Sequence, residues 1–488
     1  MSVDGHGRKK AKIRVQKAKI TKILMITYSI IQKSQLEGAK RMDAEYYQPE
    51  YLDLEKKFAA METKTLEDIS KSIISFGAYS LTSHIEWQEF GVPYINVGDI
   101  HDGYINFSNV KHISEKVNEI LKKSKVDNGQ VLLTMAGTIG NAAVAYNLSK
   151  SANANQAIAK ITPIDNVSPY CLAAFLNSKY GLLQTQREIV SSVQANIFLG
   201  PIKKFKIPIF DKKITQEIEN KYKDFLEKLE NSKSFYAQAE NLLLEESGLK
   251  NFDEEENPEA EQARYGAGLS SIVNLSEIKL AKRMDAEYFQ GKYERLIENV
   301  KKQNGKLLGD LVFIKKGFEP GSEEYREEGK LFIRVSSLSK DGIIDKDQKY
   351  LSDDLYQKLK NNFEPKIGEI LLTKDATPGI AYLVKESIEG IIAGGILRLK
   401  VKNDINSEYL TLCINSIIGR MQAERDSGGS VIAHWKPEQI KNILIPILPK
   451  QTQQKIADLV QKSHEARKKA KELLEEAKQK VEELMEIL

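Results

Sequence analysis

Cysteine and histidine are scarce in this chain of 488 residues, which has two cysteines and six histidines. Both thiols, Cys171 and Cys413, lie inside apolar helical patterns. We therefore expect buried thiols in a reducing compartment, with a cytoplasmic location, rather than a disulfide. No two histidines have the spacing of a helical or Cys/His metal site. The sequence predicts no metal centre and no cofactor on this chain.

Long apolar runs and catalytic motifs are missing as well. No stretch of about 18 apolar residues predicts a spanning helix, so we expect no association with a membrane. The sequence has no P-loop, no complete dinucleotide-binding glycine loop, no G-x-S-x-G elbow, no H-E-x-x-H and no kinase motif set. These absences favour a binding or adaptor protein over an enzyme.

The formal net charge of +4 is concentrated at one end of the chain. Eight basic side chains and one acid give residues 1–24 a net charge of +7, which leaves the remainder at −3. We predict a basic tail over residues 1–28, either disordered or the product of a misassigned start. A phosphate-binding arm is the alternative. Any nucleic-acid contact in the body of the protein must come from local basic surfaces.

A tandem duplication dominates what the sequence does contain. "AKRMDAEYYQPEY" at 39–51 returns as "AKRMDAEYFQGKY" at 281–293, with the first eight letters unchanged. The correspondence continues through "GQVLLT" at 129–134 and "GEILLT" at 368–373 to a pair of "IPI" segments, while the offset falls only from 242 to 238. A duplicated segment of about 220 residues suits a domain plus one helical arm and is too long for a solenoid repeat.

Each half combines predicted strands with predicted helices. "QVLLTMAG" and "AIAKITPI" are typical of strands, whereas "YCLAAFLNSKYGLLQTQRE" and "YLTLCINSIIGRMQAER" have helical periodicity. After each "IPI", apolar residues at steps of three and four predict a long amphipathic helix with a narrow seam. The predicted fold class is α+β, with two similar domains in pseudo-twofold arrangement, separated by two long antiparallel coiled-coil helices. The predicted segments are domains at 29–210 and 271–449, helices at 211–247 and 450–488, and an acidic linker at 248–270.

The order of these motifs resembles that of the specificity (S) subunit of type I restriction-modification enzymes. The resemblance is carried by the duplicated "KRMDAEY", by "GQVLLTMAGTIG" with "GEILLTKDATPG", and by "IPILPKQTQQKIADL" at 445–459. The last of these is similar to the family's end-of-domain pattern, in which an I-P-[IL]-P segment with a following glutamine leads into the long helix; here the segment reads I-P-I-L-P, with Gln451 after it. The first copy departs from this pattern, because Asp211 stands where the second copy has Pro449. The resemblance covers about residue 29 to the C terminus.

This resemblance implies a subunit without catalytic activity, in which each half is a target recognition domain for one half of a bipartite site in double-stranded DNA. The helices would set the unread spacer between the half-sites. The implied partners are two modification (M) subunits, which methylate adenine, and restriction (R) subunits; S-adenosylmethionine, ATP and Mg²⁺ would belong to these partners. One alternative is a duplicated protein-binding scaffold that does not contact DNA. Another, a fused enzyme that methylates DNA by itself, is disfavoured because no N-P-P-[FY] or D-P-P-Y motif is present.

Loops that follow matching strands and helices supply candidate DNA contacts. Glycine-containing loops occur at 135–141 and 374–379, and polar stretches occur at 191–197 and 426–436. Glycine lets the backbone approach a phosphate or a base edge, although tight turns and plain connections fit the same patterns. Lys315 and Lys316 are candidate phosphate contacts, with ordinary solvated lysines as the alternative. From these loops and lysines we select Thr138, Asn141, Gln194, Asn196, Lys315, Lys316, Lys374, Asp375, Thr377, Ser430 and His434.

One strand position differs between the halves in a way that suggests different target bases. Arg334 stands where the first half has Asn96. Arginine pairs best with guanine in the major groove and asparagine pairs best with adenine, so we add both residues to the candidate DNA contacts. The alternative is a strand residue that faces solvent for structural reasons.

The unchanged phrase "AKRMDAEY" calls for a different interpretation. Surfaces that discriminate between two half-sites should differ, whereas this segment is identical in both halves. We therefore predict a shared role, either an ion-paired joint between domain and helices or a docking site for one M subunit per half. The candidate residues are Arg41, Asp43, Glu45, Arg283, Asp285 and Glu287.

Overall fold

The chain divides into two units. Unit 1 comprises Met1–Glu227 with Lys469–Leu488, and unit 2 comprises Lys228–Lys468. The predicted tail, apart from Tyr28, and the predicted linker from residue 253 onward lie outside the described residues. The computed structural model describes residues 28–33, 36, 39, 41–76, 85–148, 151–190, 195–252, 273–344, 348–402, 405–427 and 434–487.

Unit 1 contains short strands that pair into two larger sheets and one two-stranded ribbon. These strands are β1 (Thr63–Thr65), β2 (Ser70–Ile74), β3 (Val92–Ile95), β4 (Lys111–Ile113), β5 (Lys125–Val126), β6 (Val131–Thr134), β7 (Ala142–Val144), β8 (Ala152–Ala154), β9 (Ile158–Pro163) and β10 (Lys206–Pro208). The antiparallel sheet has the order β2-β9-β6-β7, and the mixed sheet has the order β4-β3-β8-β5. Side chains of both sheets, such as Ile95 and Leu132, share one buried cluster.

The helices of unit 1 are short, and several begin at a serine cap. They are α1 (Pro49–Ala59), α2 (Glu115–Ile120), α3 (Pro169–Asn177), α4 (Lys179–Arg187) and α5 (Leu199–Lys203). The apolar run predicted as helical is broken between α3 and α4, because extended Ser178 accepts a hydrogen bond from the Gly181 amide and begins a new helix. Glycine is required at position 181, because a Cβ there would lie 2.3 Å from the Phe175 carbonyl oxygen.

The first long helix, α6 (Lys212–Glu246), follows β10 and contributes residues to both units. Residues of its predicted apolar seam are buried along its length, namely Ile218, Tyr222, Leu229, Ala239 and Leu243. The spacing of these residues, rather than helix propensity alone, explains the length of α6, since a narrow stripe is stabilised by a partner helix.

Unit 2 repeats most of the strand arrangement of unit 1, with three strands instead of four in the mixed sheet and one additional two-stranded pair. Its strands are β11 (Lys306–Leu307), β12 (Val312–Lys316), β13 (Lys330–Ile333), β14 (Leu338–Ser339), β15 (Gly342–Ile343), β16 (Lys349–Leu351), β17 (Glu369–Thr373), β18 (Ala381–Leu383), β19 (Gly390–Ile392), β20 (Ile396–Val401) and β21 (Leu444–Ile445). The antiparallel sheet β12-β20-β17-β18 corresponds to β2-β9-β6-β7. In both units the mixed sheet contains one parallel pair, β3 with β8 and β13 with β19.

Most helices of unit 2 match helices of unit 1. They are α7 (Leu275–Ala281), α8 (Gly291–Lys302), α9 (Leu308–Leu311), α10 (Asp353–Phe363), α11 (Ser407–Asn415), α12 (Ile417–Ser427), α13 (Pro437–Lys441) and the second long helix, α14 (Lys450–Ile487), which contributes to both units. Ser416 separates α11 from α12 as Ser178 separates α3 from α4. Among the described residues, no helix is both long enough and apolar enough to cross a membrane.

The two long helices pair in antiparallel fashion within each unit. In unit 1, Lys480 contacts Glu217 at 3.1 Å and Lys221 forms an ion pair with Glu476. Residue numbers thus increase along one helix as they decrease along the other. In unit 2, the buried hydroxyls of Ser232 and Ser463 lie 3.2 Å apart, and the apolar residues of both helices join the main core. This pairing confirms the antiparallel arrangement predicted from the duplicated sequence.

Candidate nucleic-acid interface

The same tight turn follows the central strand of the antiparallel sheet in each unit. After β6 and after β17, a buried threonine donates its hydroxyl to the carbonyl four residues later, Thr134 to Thr138 and Thr373 to Thr377. Left-handed backbone recurs at equivalent places, with φ of 96° at both Gly140 and Gly379. The two turns therefore have one backbone design.

A strained residue occupies this turn in unit 2. The position equivalent to Gly137, with φ of 66°, is Ala376, with φ of 58°. An alanine in the left-handed region is uncommon and costs of the order of 1 kcal/mol. Such strain concentrates at ligand-binding sites, where the surrounding structure imposes a fixed conformation.

Backbone hydrogen bonds tie two other segments to the turn of unit 1, and one of these segments is bonded in turn to a third. The Met135 amide donates to the Ala157 carbonyl at 2.8 Å, and the Ile197 amide donates to the Met135 carbonyl at 3.0 Å. The Asn155 amide donates to the Ile95 carbonyl at 2.9 Å. We call the resulting group turn cluster 1, which comprises residues 95–97, 134–141, 155–157 and 195–197.

The same bonds recur in unit 2 and define turn cluster 2. The Lys374 amide donates to the Gly395 carbonyl at 2.9 Å, and the Trp435 amide donates to the Lys374 carbonyl at 2.8 Å. The Ala393 amide donates to the Ile333 carbonyl at 2.8 Å. Turn cluster 2 comprises residues 333–335, 373–380, 393–395 and 434–435.

An asparagine holds the far end of each turn against the helix behind it. The Ala142 amide donates to Asn177 Oδ1 at 2.8 Å, and Asn177 Nδ2 donates back to the Ala142 carbonyl at 2.7 Å. Asn415 makes the same two bonds with Ala381, at 2.9 and 2.8 Å. Because one amide satisfies both backbone groups of the strand, the strand after the turn has a fixed position relative to α3 or α11.

Turn cluster 1 brings together most of the residues predicted in the first half. Asn96 lies at the end of β3, where its amide nitrogen Nδ2 is 3.5 Å from the Tyr94 carbonyl, and Asn196 pairs with Ala136. Thr138 Oγ1 is buried and has no hydrogen-bond partner among the described residues. Asn141 instead donates to the Ile100 carbonyl at 3.1 Å, which assigns its amide to holding the turn. Gln194 lies outside the described residues.

Turn cluster 2 contains a connected row of charged side chains. Lys374 forms an ion pair with Asp375, and His434 Nδ1 lies 2.8 Å from Asp375 Oδ1. Burial raises the pKa of Asp375, but the hydrogen bonds from Lys374 and His434 lower it by more, so the carboxylate is ionised. The side chain of His434 is 65% exposed and forms the accessible end of the row. Thr377 is also exposed, and Ser430 lies outside the described residues.

Arg334 belongs to the same cluster, and the predicted lysines precede a residue that is bonded to it. Arg334 follows β13, at the position that Asn96 has after β3. Lys315 and Lys316 are exposed at the end of β12. Two residues beyond Lys316, the Phe318 carbonyl accepts a hydrogen bond from the Gly394 amide of the cluster at 2.8 Å.

Two residues near these clusters escaped the sequence analysis. Gln156 belongs to turn cluster 1, and its Oε1 is buried without a partner among the described residues. Glu319 packs against Gly394, where a Cβ would lie 2.2 Å from the glutamate Cγ. Extending the repeat alignment would have found the first of them, because the offset of 238 places Gln156 opposite Gly394.

The repeated "KRMDAEY" segment is fastened to a short helix of its own unit. Arg41 Nε donates to Asp43 Oδ1 at 2.8 Å, and the Tyr46 ring lies between the guanidinium groups of Arg41 and Arg187, at 4.7 and 4.2 Å. The Tyr46 hydroxyl donates to Glu188 at 3.0 Å, just after α4. The hydrogen bonds from Arg41 lower the pKa of the Asp43 carboxyl, which keeps the pair ionised.

The second copy repeats this geometry on α12. Arg283 Nε donates to Asp285 Oδ1 at 2.8 Å, and the Tyr288 ring lies between Arg283 and Arg425, at 4.9 and 4.2 Å. Arg283 Nη1 also donates to the Asp426 carbonyl at 2.8 Å. Each copy is thus a rigid element whose ion pair is internal.

What this rigid element exposes is also the same in both units. Met42 is 90% exposed and Met284 is 84% exposed, and the neighbouring Glu45 and Glu287 are exposed as well. Met42 and Met284 thus recur as exposed apolar side chains at the same place of the repeated segment in both units.

The chain is similar in sequence to a known protein. A 103-residue stretch is 29% identical to the type I restriction enzyme EcoBI specificity subunit of Escherichia coli, and it covers 20% of this chain and 22% of that protein. The matched stretch thus spans about a fifth of that relative.

Two solved structures align with far more of the chain. The S subunit of a type I restriction-modification system from M. genitalium is 15% identical, with 86% of this chain and 95% of that chain covered and a TM-score of 0.40. The HsdS subunit from Thermoanaerobacter tengcongensis is 12% identical, with 86% and 95% covered and a TM-score of 0.27. The family described as type I restriction modification DNA specificity domain matches residues 59–241 and 301–479, which together make up most of the chain. This chain therefore belongs to the family of type I restriction modification DNA specificity domains.

Proposed function

We propose that this chain is the DNA sequence-specificity subunit of a type I restriction-modification complex and that each unit reads one half of a bipartite site through its turn cluster. The observation that carries the proposal is the contrast within the clusters. Their backbones share the same turn and the same tying hydrogen bonds, whereas Asn96, Ala136 and Asn196 are replaced by Arg334, Asp375 and His434. A common scaffold with different polar side chains suits two modules that read different bases.

We further propose that α6 and α14 set the spacer between the half-sites. Both helices contribute residues to both units, and neither is interrupted at the boundary between them. A helix of 35 residues is about 50 Å long at a rise of 1.5 Å per residue. A paired, continuous helix is stiff, so its length would carry over into the number of unread base pairs.

The two exposed methionines suit the docking of a modification subunit on each unit. Met42 with Glu45 and Met284 with Glu287 form the same surface twice, each on a rigid support. Identical surfaces in otherwise divergent halves fit two copies of one partner. Under this proposal, the chain contributes specificity, and the chemistry together with S-adenosylmethionine, ATP and Mg²⁺ belongs to the M and R subunits.

An exchange of one recognition domain tests the proposal. Residues 40–206 are replaced by the corresponding residues of a relative, and the methylated sites of cells that carry the chimera and the partner methyltransferase are sequenced. We expect one half of the recognised sequence to change while the other half and the spacer stay the same. A matched control exchanges residues 282–444 and should alter the other half. A change in both halves contradicts the proposal that each unit reads one half-site. A chain that binds its partner subunits but does not bind DNA would instead be a protein-binding scaffold.

A further inference from the structure

Equivalent positions of the two turn clusters differ systematically in charge. The shared backbone bonds match Met135 with Lys374, because both amides donate to the 155–157 or 393–395 segment. The bridges Ala136 to Asn196 and Asp375 to His434 match two further positions. Every one of these side chains is uncharged in unit 1, and each counterpart in unit 2 is charged or ionisable.

Strand register extends this contrast beyond the turn. Lys315 pairs with Arg398 in β20, and Ile74 pairs with Lys160 in β9. Arg398 and Lys160 are equivalent, since both donate to the carbonyl of a matching residue, Asn362 or Lys123. Lys315 and Lys316 therefore occupy the places of Ile74 and Ser75, and again the cations belong to unit 2.

The chemistry of the base edges gives this contrast a meaning. In the major groove, guanine presents two acceptors, and arginine and lysine supply the matching donors, whereas adenine presents a donor beside an acceptor and matches an amide side chain. Carboxylates accept from the cytosine amino group. Unit 1 offers amides at Asn96, Gln156 and Asn196, and unit 2 offers Arg334 with the carboxylate of Glu319 nearby.

The row Lys374–Asp375–His434 shows that the charged set of unit 2 is positioned rather than accidental. Asp375 accepts from both neighbours, and only 24% of its side chain and 15% of that of Lys374 are exposed. These two residues hold the imidazole through Nδ1, which leaves Nε2 of the exposed ring as the nitrogen for a ligand.

We infer that the two half-sites differ in base class: turn cluster 1 reads a half-site through A·T pairs with neutral amides, and turn cluster 2 reads a half-site through G·C pairs with Arg334 and its charged neighbours. Asp375 and Lys374 are positioning residues that orient His434. This inference rests on the proposed function and names the chemistry of its substrate.

Selection from a randomised DNA library tests the inference. The full-length chain, assembled with its partner methyltransferase, is mixed with duplexes that carry two randomised half-sites, and the bound fraction is sequenced for the parent, Arg334→Asn and Asn96→Arg. In the parent, we expect essential G·C pairs in one half and essential A·T pairs in the other. Arg334→Asn should weaken the guanine preference at one position of the G·C half by about tenfold, and Asn96→Arg should change only the other half.

Two further variants keep the test decisive if Arg334→Asn fails to fold. His434→Asn, which installs the unit 1 residue at an exposed site, should alter the same half as Arg334→Asn. Lys316→Ser should leave base preference unchanged but reduce the slope of log affinity against log salt by about one. Halves of the same base class overturn the inference alone, whereas an Arg334→Asn effect in the half that Asn96→Arg alters also contradicts the proposal that each unit reads its own half. Failure of the parent to enrich any bipartite sequence overturns the proposed function as well.

Discussion

The buried ion pair between strands β17 and β20 allows a quantitative prediction. Arg398 Nε and Nη2 donate to the two carboxylate oxygens of Glu369 at 2.7 and 2.8 Å, and both side chains are buried. Burial raises the pKa of Glu369, but the hydrogen bonds from Arg398 and the Lys366 amide lower it by more, so the pair is ionised. Glu369→Gln leaves the guanidinium buried without a counter-charge, which costs about 3–5 kcal/mol.

Unit 1 supplies the matched control for this substitution. At the equivalent positions it has Gln130 and Lys160, and the Lys160 ammonium donates to the Lys123 carbonyl at 3.2 Å and to the Lys125 carbonyl, with an amide side chain in place of Glu369. The double substitution Glu369→Gln with Arg398→Lys copies that arrangement into unit 2. We expect it to recover most of the loss, because the flexible ammonium can reach the Asn362 carbonyl that Arg398 uses now.

Hydrogen exchange measures the effect within one unit. Strands β17 and β20 should show an opening equilibrium raised roughly a hundredfold to several thousandfold in Glu369→Gln, which corresponds to about 3–5 kcal/mol. The amides of β6 and β9 in unit 1 should be unchanged and serve as the internal reference. An increase below tenfold, or an equal loss in the double variant, would refute the assignment of the cost to an uncompensated buried charge.

Three other perturbations test separate parts of the molecule. Insertion of seven residues into both long helices, after Glu227 and after Lys468, keeps the apolar seams in register and lengthens each helix by about 10 Å. Methylome sequencing should then show the same half-sites with about three more base pairs between them. An insertion into α6 alone disrupts the helix pairing and serves as the control. Met284→Glu should reduce the number of methyltransferase subunits per chain from two to one in native mass spectrometry without altering DNA half-site preference, and a stoichiometry of two would remove Met284 from the docking surface. Burial and the nearby Lys385 and Arg467 lower the pKa of His464 to about 4. The folded protein should therefore lose up to roughly 3 kcal/mol of stability as the pH falls from about 6.5 to about 4. In His464→Leu, which copies Leu226, the free energy of unfolding in urea should depend less on pH over that range, and an unchanged pH dependence would contradict a neutral buried imidazole.

The duplication and the long helices could be predicted because they are local or periodic properties of the sequence. The seams of α6 and α14 follow directly from apolar spacing, and buried strands such as β6 and β17 are short runs of Val, Leu and Ile. The breaks at Ser178 and Ser416 were missed because the apolar pattern continues through them. A serine cap interrupts a helix through one hydrogen bond and two backbone angles, and neither changes the hydrophobic period.

The candidate site was only partly predictable because its members are distant in the sequence. Loops 135–141 and 374–379 were found from their glycines, and those glycines do hold left-handed backbone at Gly140 and Gly379. The contacts of Arg187 with Tyr46 and of Arg425 with Tyr288 join residues more than 130 positions apart, so no local pattern reveals them. The repeat itself carries the missing signal, since both arginines occupy the same place in the duplicated sequence.

Residues that are the same in both units position the backbone of the turn, whereas residues that differ are the candidates for contact with DNA bases. The asparagine clamps at Asn177 and Asn415 and the threonine bonds at Thr134 and Thr373 are the same in both units, although each could be replaced by other capping arrangements. They fix backbone, and a module that must present a new side chain to a base edge needs that backbone unchanged. Substitution at Asn96 and Arg334 leaves every clamp in place, so specificity can change without loss of the fold. An Asn177→Ala variant should accordingly impair reading of every base in its half-site, whereas Asn96→Arg should alter a single base preference.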